Sequence, residues 1–147
     1  MIPVDPASYF RGRFGDIRDA RIIRGFKVEP SWRPTDGKGT RAGFVDVPAL
    51  VGTEPGAEFE FGFEGTGCGL FITAGPDAGR LEFSIDGAPY RSVDTYTRWS
   101  SGLHLPWAVI LADNLKPGRH VATVRIADDR DAKAIGTALR VFHLLLN

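Results

Sequence analysis

The densest set of chemistry-bearing side chains is Trp99-Ser-Ser-Gly-Leu-His-Leu-Pro-Trp107, which holds two of the chain's three tryptophans and one of its three histidines. Asp94, Tyr96 and Arg98 stand just before it, Tyr90 slightly earlier, and Trp32 lies in a span rich in proline and glycine. Flat indole and phenol rings stack on the apolar C–H face of a sugar, while carboxylate, guanidinium and imidazole groups bond its hydroxyls in the ring plane. Trp32, Asp94, Tyr96, Arg98, Trp99 and His104 are therefore the candidate ligand-binding residues, and a polysaccharide or oligosaccharide is the candidate ligand. Packing against a neighbouring domain would use the same rings, and for Trp32 and Trp99 both uses stay open. Trp107, which follows Pro106 and precedes Ala-Val-Ile-Leu, is expected in the core.

Catalytic patterns are scarce. No HExxH, HxH or CxxC spacing occurs, so a transition-metal site has little support. The single cysteine, Cys68, is expected to be a buried small side chain without a disulfide. A serine nucleophile would sit in an elbow such as GxSxG, which is absent, and Gly15-Asp16 is followed by Ile17 where a GDS-type block would need serine. A triad is defined by geometry rather than by order, so a cryptic esterase using His104 or His120 stays as a third reading. His143 alternates into an apolar strand and is expected to be a satisfied core histidine, whereas His120 follows a turn and is expected at the surface. Glu58, Glu60, Glu64 and Glu82 alternate with apolar residues, so solvation explains them better than paired glycosidic acid and base. No cofactor is expected. A structural calcium ion stays open for this fold class, although Asp128-Asp-Arg-Asp131 lacks the spacing and central glycine of a calcium loop.

Composition narrows the partners. Lys plus Arg and Asp plus Glu are 18 each, so no net field draws the chain to nucleic acid or to an anionic membrane. Arginines gather between Arg11 and Arg24, but acidic residues are interleaved with them. The start, Met1-Ile-Pro-Val-Asp-Pro6, lacks the basic and apolar regions of a signal peptide, and no apolar run approaches the ~18–20 residues of a membrane span. The expectation is a soluble chain, 1–147 forming a single domain, with a length sufficient for a real core.

The elements that position these residues read as strands. Residues 57–64 put Phe59, Phe61 and Phe63 on one side and Glu58, Glu60 and Glu64 on the other, the period of a strand with one wet face. Residues 80–86 alternate in the same way, and Asp86-Gly87 supplies the positive φ angles of a tight hairpin turn returning as 90–96. Residues 20–26, 69–74, 108–112, 119–127 and 138–146 are further strands, with a weak edge strand or loop over 9–14. Pro30 to Thr40 reads as a long loop carrying Trp32, and Lys116-Pro-Gly118 as a turn. The sum is about eight to ten short strands, no long helix and no repeat, which predicts an all-β sandwich. Pattern alone leaves jelly-roll and immunoglobulin topologies open, the missing Cys…Trp…Cys arrangement arguing against the second.

Gly65-Thr-Gly-Cys-Gly-Leu-Phe71, Ala74-Gly-Pro-Asp-Ala-Gly79, Leu81-Glu-Phe-Ser-Ile-Asp-Gly87 and the Trp99 to Trp107 stretch resemble the β-sandwich ancillary domain of bacterial SGNH/GDSL-type hydrolases of the carbohydrate-esterase kind. The similarity runs from Arg11-Gly-Arg13 to Arg140-Val-Phe-His-Leu-Leu-Leu-Asn147. The resemblance implies a galactose-binding-like jelly roll and a non-catalytic carbohydrate-binding module that positions a polysaccharide for an associated SGNH hydrolase domain. It carries over no individual binding residue. It also implies a secreted or periplasmic location within a longer protein. The alternative is a structural domain that packs against a catalytic domain without a ligand site of its own.

Overall fold

The computed structural model describes residues 13–36, 38–40, 44–97 and 100–147. Two antiparallel sheets form the molecule. One runs β3 (Phe26–Trp32), β5 (Val47–Gly52), β12 (Leu139–Leu146), β7 (Cys68–Ala74) and β10 (Leu103–Ala112), with β4 (Gly39–Thr40) parallel to β10 and β1 (Arg13–Gly15) beside β12. The other runs β2 (Arg21–Arg24), β6 (Glu58–Gly65), β11 (Gly118–Ile126), β8 (Arg80–Ile85) and β9 (Arg91–Asp94). The order β5-β12-β7-β10 facing β6-β11-β8-β9 is jelly-roll wiring. The all-β jelly-roll expectation holds.

The core follows from alternation. Phe59, Phe61 and Phe63 of β6 and Leu81 and Phe83 of β8 face Leu50, Leu70, Ile72, Val141 and Leu144 across the sandwich. Cys68 is fully buried in the same core. Gly25, at φ 73°, lets the chain turn from β2 in one sheet to β3 in the other, and Ala57 sits so close that any side chain there would collide with it. Asp86 and Gly87 take φ 54° and 77°, the expected hairpin corner.

Four expectations are corrected. Trp32 ends β3 instead of riding on a loop, because β3 is an edge strand that tolerates Pro30. His104, Leu105, Pro106 and Trp107 belong to β10, and Trp107 is 45% exposed rather than core. The reason is position: among the described residues β10 is flanked on its outer side only by two-residue β4, which pairs with Leu103 and His104, so Trp107 farther along has no neighbouring strand on that side. Residues 108–112 are not a run buried throughout either, because alternation turns Ile110 outward, 46% exposed, between buried Val109 and Leu111. His143 is half-buried on the outer face instead of in the core, because a bulge between Val141 and His143 shifts the register before Leu144 returns inward.

Candidate functional site

The outer face of the larger sheet carries a second apolar cluster of Trp32, Ala49, Val51 and Phe142, with Phe44, Val47 and Phe71 packed against it. Rings continue across it. Phe142 touches Trp32 at 5.7 Å and Phe44 at 5.2 Å, Phe44 stacks on Phe71 at 5.6 Å, and Phe71 leads to His143 at 6.3 Å and Phe14 at 6.1 Å. Phe14 lies flat on His143, 4.6 Å apart with 13° between planes, and is 66% exposed.

Beside these rings opens a cleft of about 390 Å³ lined by Phe14, Phe44, Phe142 and His143 and by Asp16 and Arg18. Its rim has a local cause. Asp16 accepts the Arg18 backbone N–H at 2.8 Å and so caps the 3₁₀ turn Ile17–Asp19, while Ile17 is buried in the main core and anchors that turn. Arg18 is thereby held at the mouth, its side chain 55% exposed. Among the described residues His143 has no side-chain hydrogen bond. Aromatic faces, a guanidinium, a carboxylate and an imidazole thus meet in one cleft of ligand-pocket size, groups able to stack on an apolar ring face and to hydrogen-bond hydroxyls.

At the other end of the ring array the segment after β3 is tied down over the sheet. Arg33 grips Asp46 with two hydrogen bonds and holds that carboxyl below the ordinary range, and Asp46 N–H bonds the Trp32 carbonyl at 2.7 Å. Asp36 Oδ2 lies 2.9 Å from His104 Nε2, and Thr40 Oγ1 donates to the His104 carbonyl. Burial alone would raise the Asp36 carboxyl, but the Lys38 N–H and His104 outweigh it and lower it. Because the Asp36 carboxylate accepts, His104 carries hydrogen on Nε2, leaving Nδ1 buried against Gly75 with no partner among the described residues. Next to them Arg140 makes a two-bond pair with Asp77 and lies over the Trp32 ring at 5.7 Å.

The structure separates the sequence-derived candidates. Trp32 is 4% exposed and His104 2%, so both pack and brace rather than offer a free face. Their edge-to-face contact is 5.6 Å. Asp94 sits on the opposite side of the sandwich, in an ion pair with Arg80, and its Oδ1 accepts the Tyr96 backbone N–H, with Tyr96 half-buried. Arg98 and Trp99 lie outside the described residues. The cleft residues Phe14, Asp16, Arg18, Phe44 and His143 were not among the candidates, although Phe14 falls in the weak strand signal and Gly15-Asp16 attracts attention only as a failed nucleophile block.

Neither His104 nor His120 presents a nitrogen both free and exposed: His104 is enclosed, and both His120 nitrogens are bonded. Ser100 is fully buried, accepting the Thr97 N–H. Among the described residues no three His, Cys, Asp or Glu side chains converge on a metal position, and Asp129 pairs with Arg80.

No protein-family model matches the sequence, and no curated protein matches it. Solved structures do match. A two-domain esterase (CEX) active on acetylated mannans aligns at TM-score 0.69 and 14% identity, covering 99% of this chain and 38% of the other. A family two carbohydrate esterase from Cellvibrio japonicus gives 0.54 and 12%, over 92% of this chain and 32% of the other. An exo-beta-1,3-galactanase from Phanerochaete chrysosporium gives 0.58 and 15%, over 91% and 29%. The chain therefore has the fold of a β-sandwich domain that forms a minor part of larger carbohydrate-active proteins. It spans 38% of the first of them, in accord with the ancillary-domain resemblance read from the sequence.

Proposed function

We propose that this chain is a non-catalytic carbohydrate-binding domain that holds a polysaccharide for an associated SGNH-type esterase, outside the cytoplasm and within a longer protein. One observation carries the reading: the cleft in which the exposed Phe14 ring, backed by His143, stands beside Asp16 and Arg18. A sugar ring stacks on Phe14 and directs its hydroxyls to the polar rim. The shared fold with carbohydrate-active proteins supports the ligand class.

Affinity electrophoresis and calorimetry against a panel of neutral, acidic and acetylated polysaccharides test this. Binding at millimolar to micromolar Kd, roughly −4 to −8 kcal/mol, is expected for at least one. Phe14→Ala should weaken it about tenfold or more without unfolding the chain, since the ring is 66% exposed. Absence of binding across the panel, or an unchanged Phe14→Ala, refutes the assignment. The second reading, a domain that only packs against a catalytic partner, is favoured by Trp107 and Ile110, 45% and 46% exposed on β10. Dimerisation of the isolated chain that Trp107→Ser abolishes, with no glycan bound, would decide for it.

A further inference from the structure

His120 lies at the start of β11, and both of its ring nitrogens face acceptors. Nδ1 is 2.6 Å from Asp86 Oδ2 and Nε2 is 2.7 Å from the Lys116 carbonyl oxygen. A neutral imidazole has one N–H, so one contact would set a lone pair against a lone pair; the imidazolium satisfies both. The ring is 12% exposed and packs on Phe63 at 5.4 Å. Asp86 is held in turn, its Oδ1 accepting the Val121 N–H at 2.8 Å.

Residues beside the two turns that His120 joins line a groove of about 500 Å³. Asp86, Ala88 and Pro89 stand on one side, Asp113 and Leu115 on the other, and Phe83 and Leu111 of the core line its floor. We propose that His120 is a proton-operated clasp on this groove: as the imidazolium it ties the Asp86-Gly87 turn to the Lys116 turn, and on losing its proton it lets them part.

The charged groups around it are Asp86 from the β8–β9 turn, Lys116 from the β10–β11 connection, and Glu64 and Arg119, which line the same surface concavity as His120. Of these side chains, Asp86 makes the direct bond. Hydrogen bonding to Asp86, then to the Lys116 carbonyl, raises the His120 proton affinity above its ordinary value, and the same bond lowers the Asp86 carboxyl. The sign follows. The clasp is fully closed below the ordinary histidine value of about 6.5 and is lost as pH rises through the higher folded value. This device is independent of glycan binding.

The test is nitrogen-15 NMR of the imidazole across roughly pH 5 to 9, combined with amide hydrogen exchange at Val121 and Ala88 corrected for the intrinsic pH effect. Both nitrogens should be protonated near about pH 6 and titrate with a midpoint above about 6.5. Exchange at Val121 should quicken severalfold through that midpoint, lose this step in His120→Gln, and shift to lower pH in Asp86→Asn. A singly protonated ring near about pH 6, a midpoint at or below the ordinary value, or a Val121 step that persists in His120→Gln overturns the proposal. The wild-type spectra decide the protonation arm even where a variant fails to fold.

Discussion

Gly75→Ala tests how the outer-face segment is anchored. A Cβ at this position would lie 2.1 Å from His104 Nδ1, 2.3 Å from Cε1 and 2.9 Å from Cγ. The backbone is not in the left-handed region, so the penalty is steric. The imidazole would have to retreat by more than about an ångström to reach ordinary contact, yet it is held by Asp36 at 2.9 Å on one side and by Trp32 at 5.6 Å on another. Overpacking of this kind costs about 1–3 kcal/mol, and losing the Asp36 bond adds about 0.5–1.5 kcal/mol. The expected total of about 2–4 kcal/mol corresponds to a Tm lowered by roughly 5–15 °C at this chain length. Urea and thermal unfolding of G75A, H104A and G75A/H104A measure it. If the clash is the cause, removing the ring relieves it, and the double variant should lose less than the sum of the singles by about 1 kcal/mol or more. A G75A protein within about 0.5 kcal/mol of wild type, or strict additivity in the cycle, refutes the reasoning.

Other outcomes follow from buried groups. Burial would raise the Asp77 carboxyl, but the two Arg140 bonds outweigh it and hold it low. Asp77→Asn should therefore cost about 2–3 kcal/mol near neutral pH, less than a fully buried pair loses, because Asp77 is 30% exposed against 13% for Arg140. That difference is complete above the ordinary carboxylate value and vanishes as pH falls through the folded one, so acid-unfolding curves of the two proteins should converge; a constant gap would contradict the assignment. Cys68, fully enclosed, has its thiol pushed up to about 12 by burial and by the Asp86 charge. It should release no colour with a disulfide reagent at mildly alkaline pH until denaturant is added, and prompt reaction in the native protein would show the core to be open.

Much of the scaffold was legible in the chain. The alternating Phe59, Phe61 and Phe63 specify a strand with a single buried face, and Asp86-Gly87 specifies the hairpin corner between β8 and β9, because period and positive φ are local properties. The site was less legible. Residue type marked Trp32 and His104, yet both are buried, since whether a ring is a platform or a brace depends on which segment lies over it. His104 is covered because Asp36 and Thr40, far away in the sequence, reach it. Trp107 erred in the opposite direction: its apolar neighbours suggest a core strand, and only its place at the margin of the sheet exposes it. His143 faces out because of a bulge that no alternation in the apolar run announces.

The sequence by itself determined the strand periods, the turn chemistry, the balanced charge and hence an all-β sandwich with no field for polyanions. Tertiary structure alone decided which aromatic faces meet solvent and which polar groups converge. Phe14 and Arg18 reach Phe44 and His143 only because β1 pairs with β12 and Ile17 pins the intervening turn in the core. Long-range pairing creates that neighbourhood, and no local pattern encodes it.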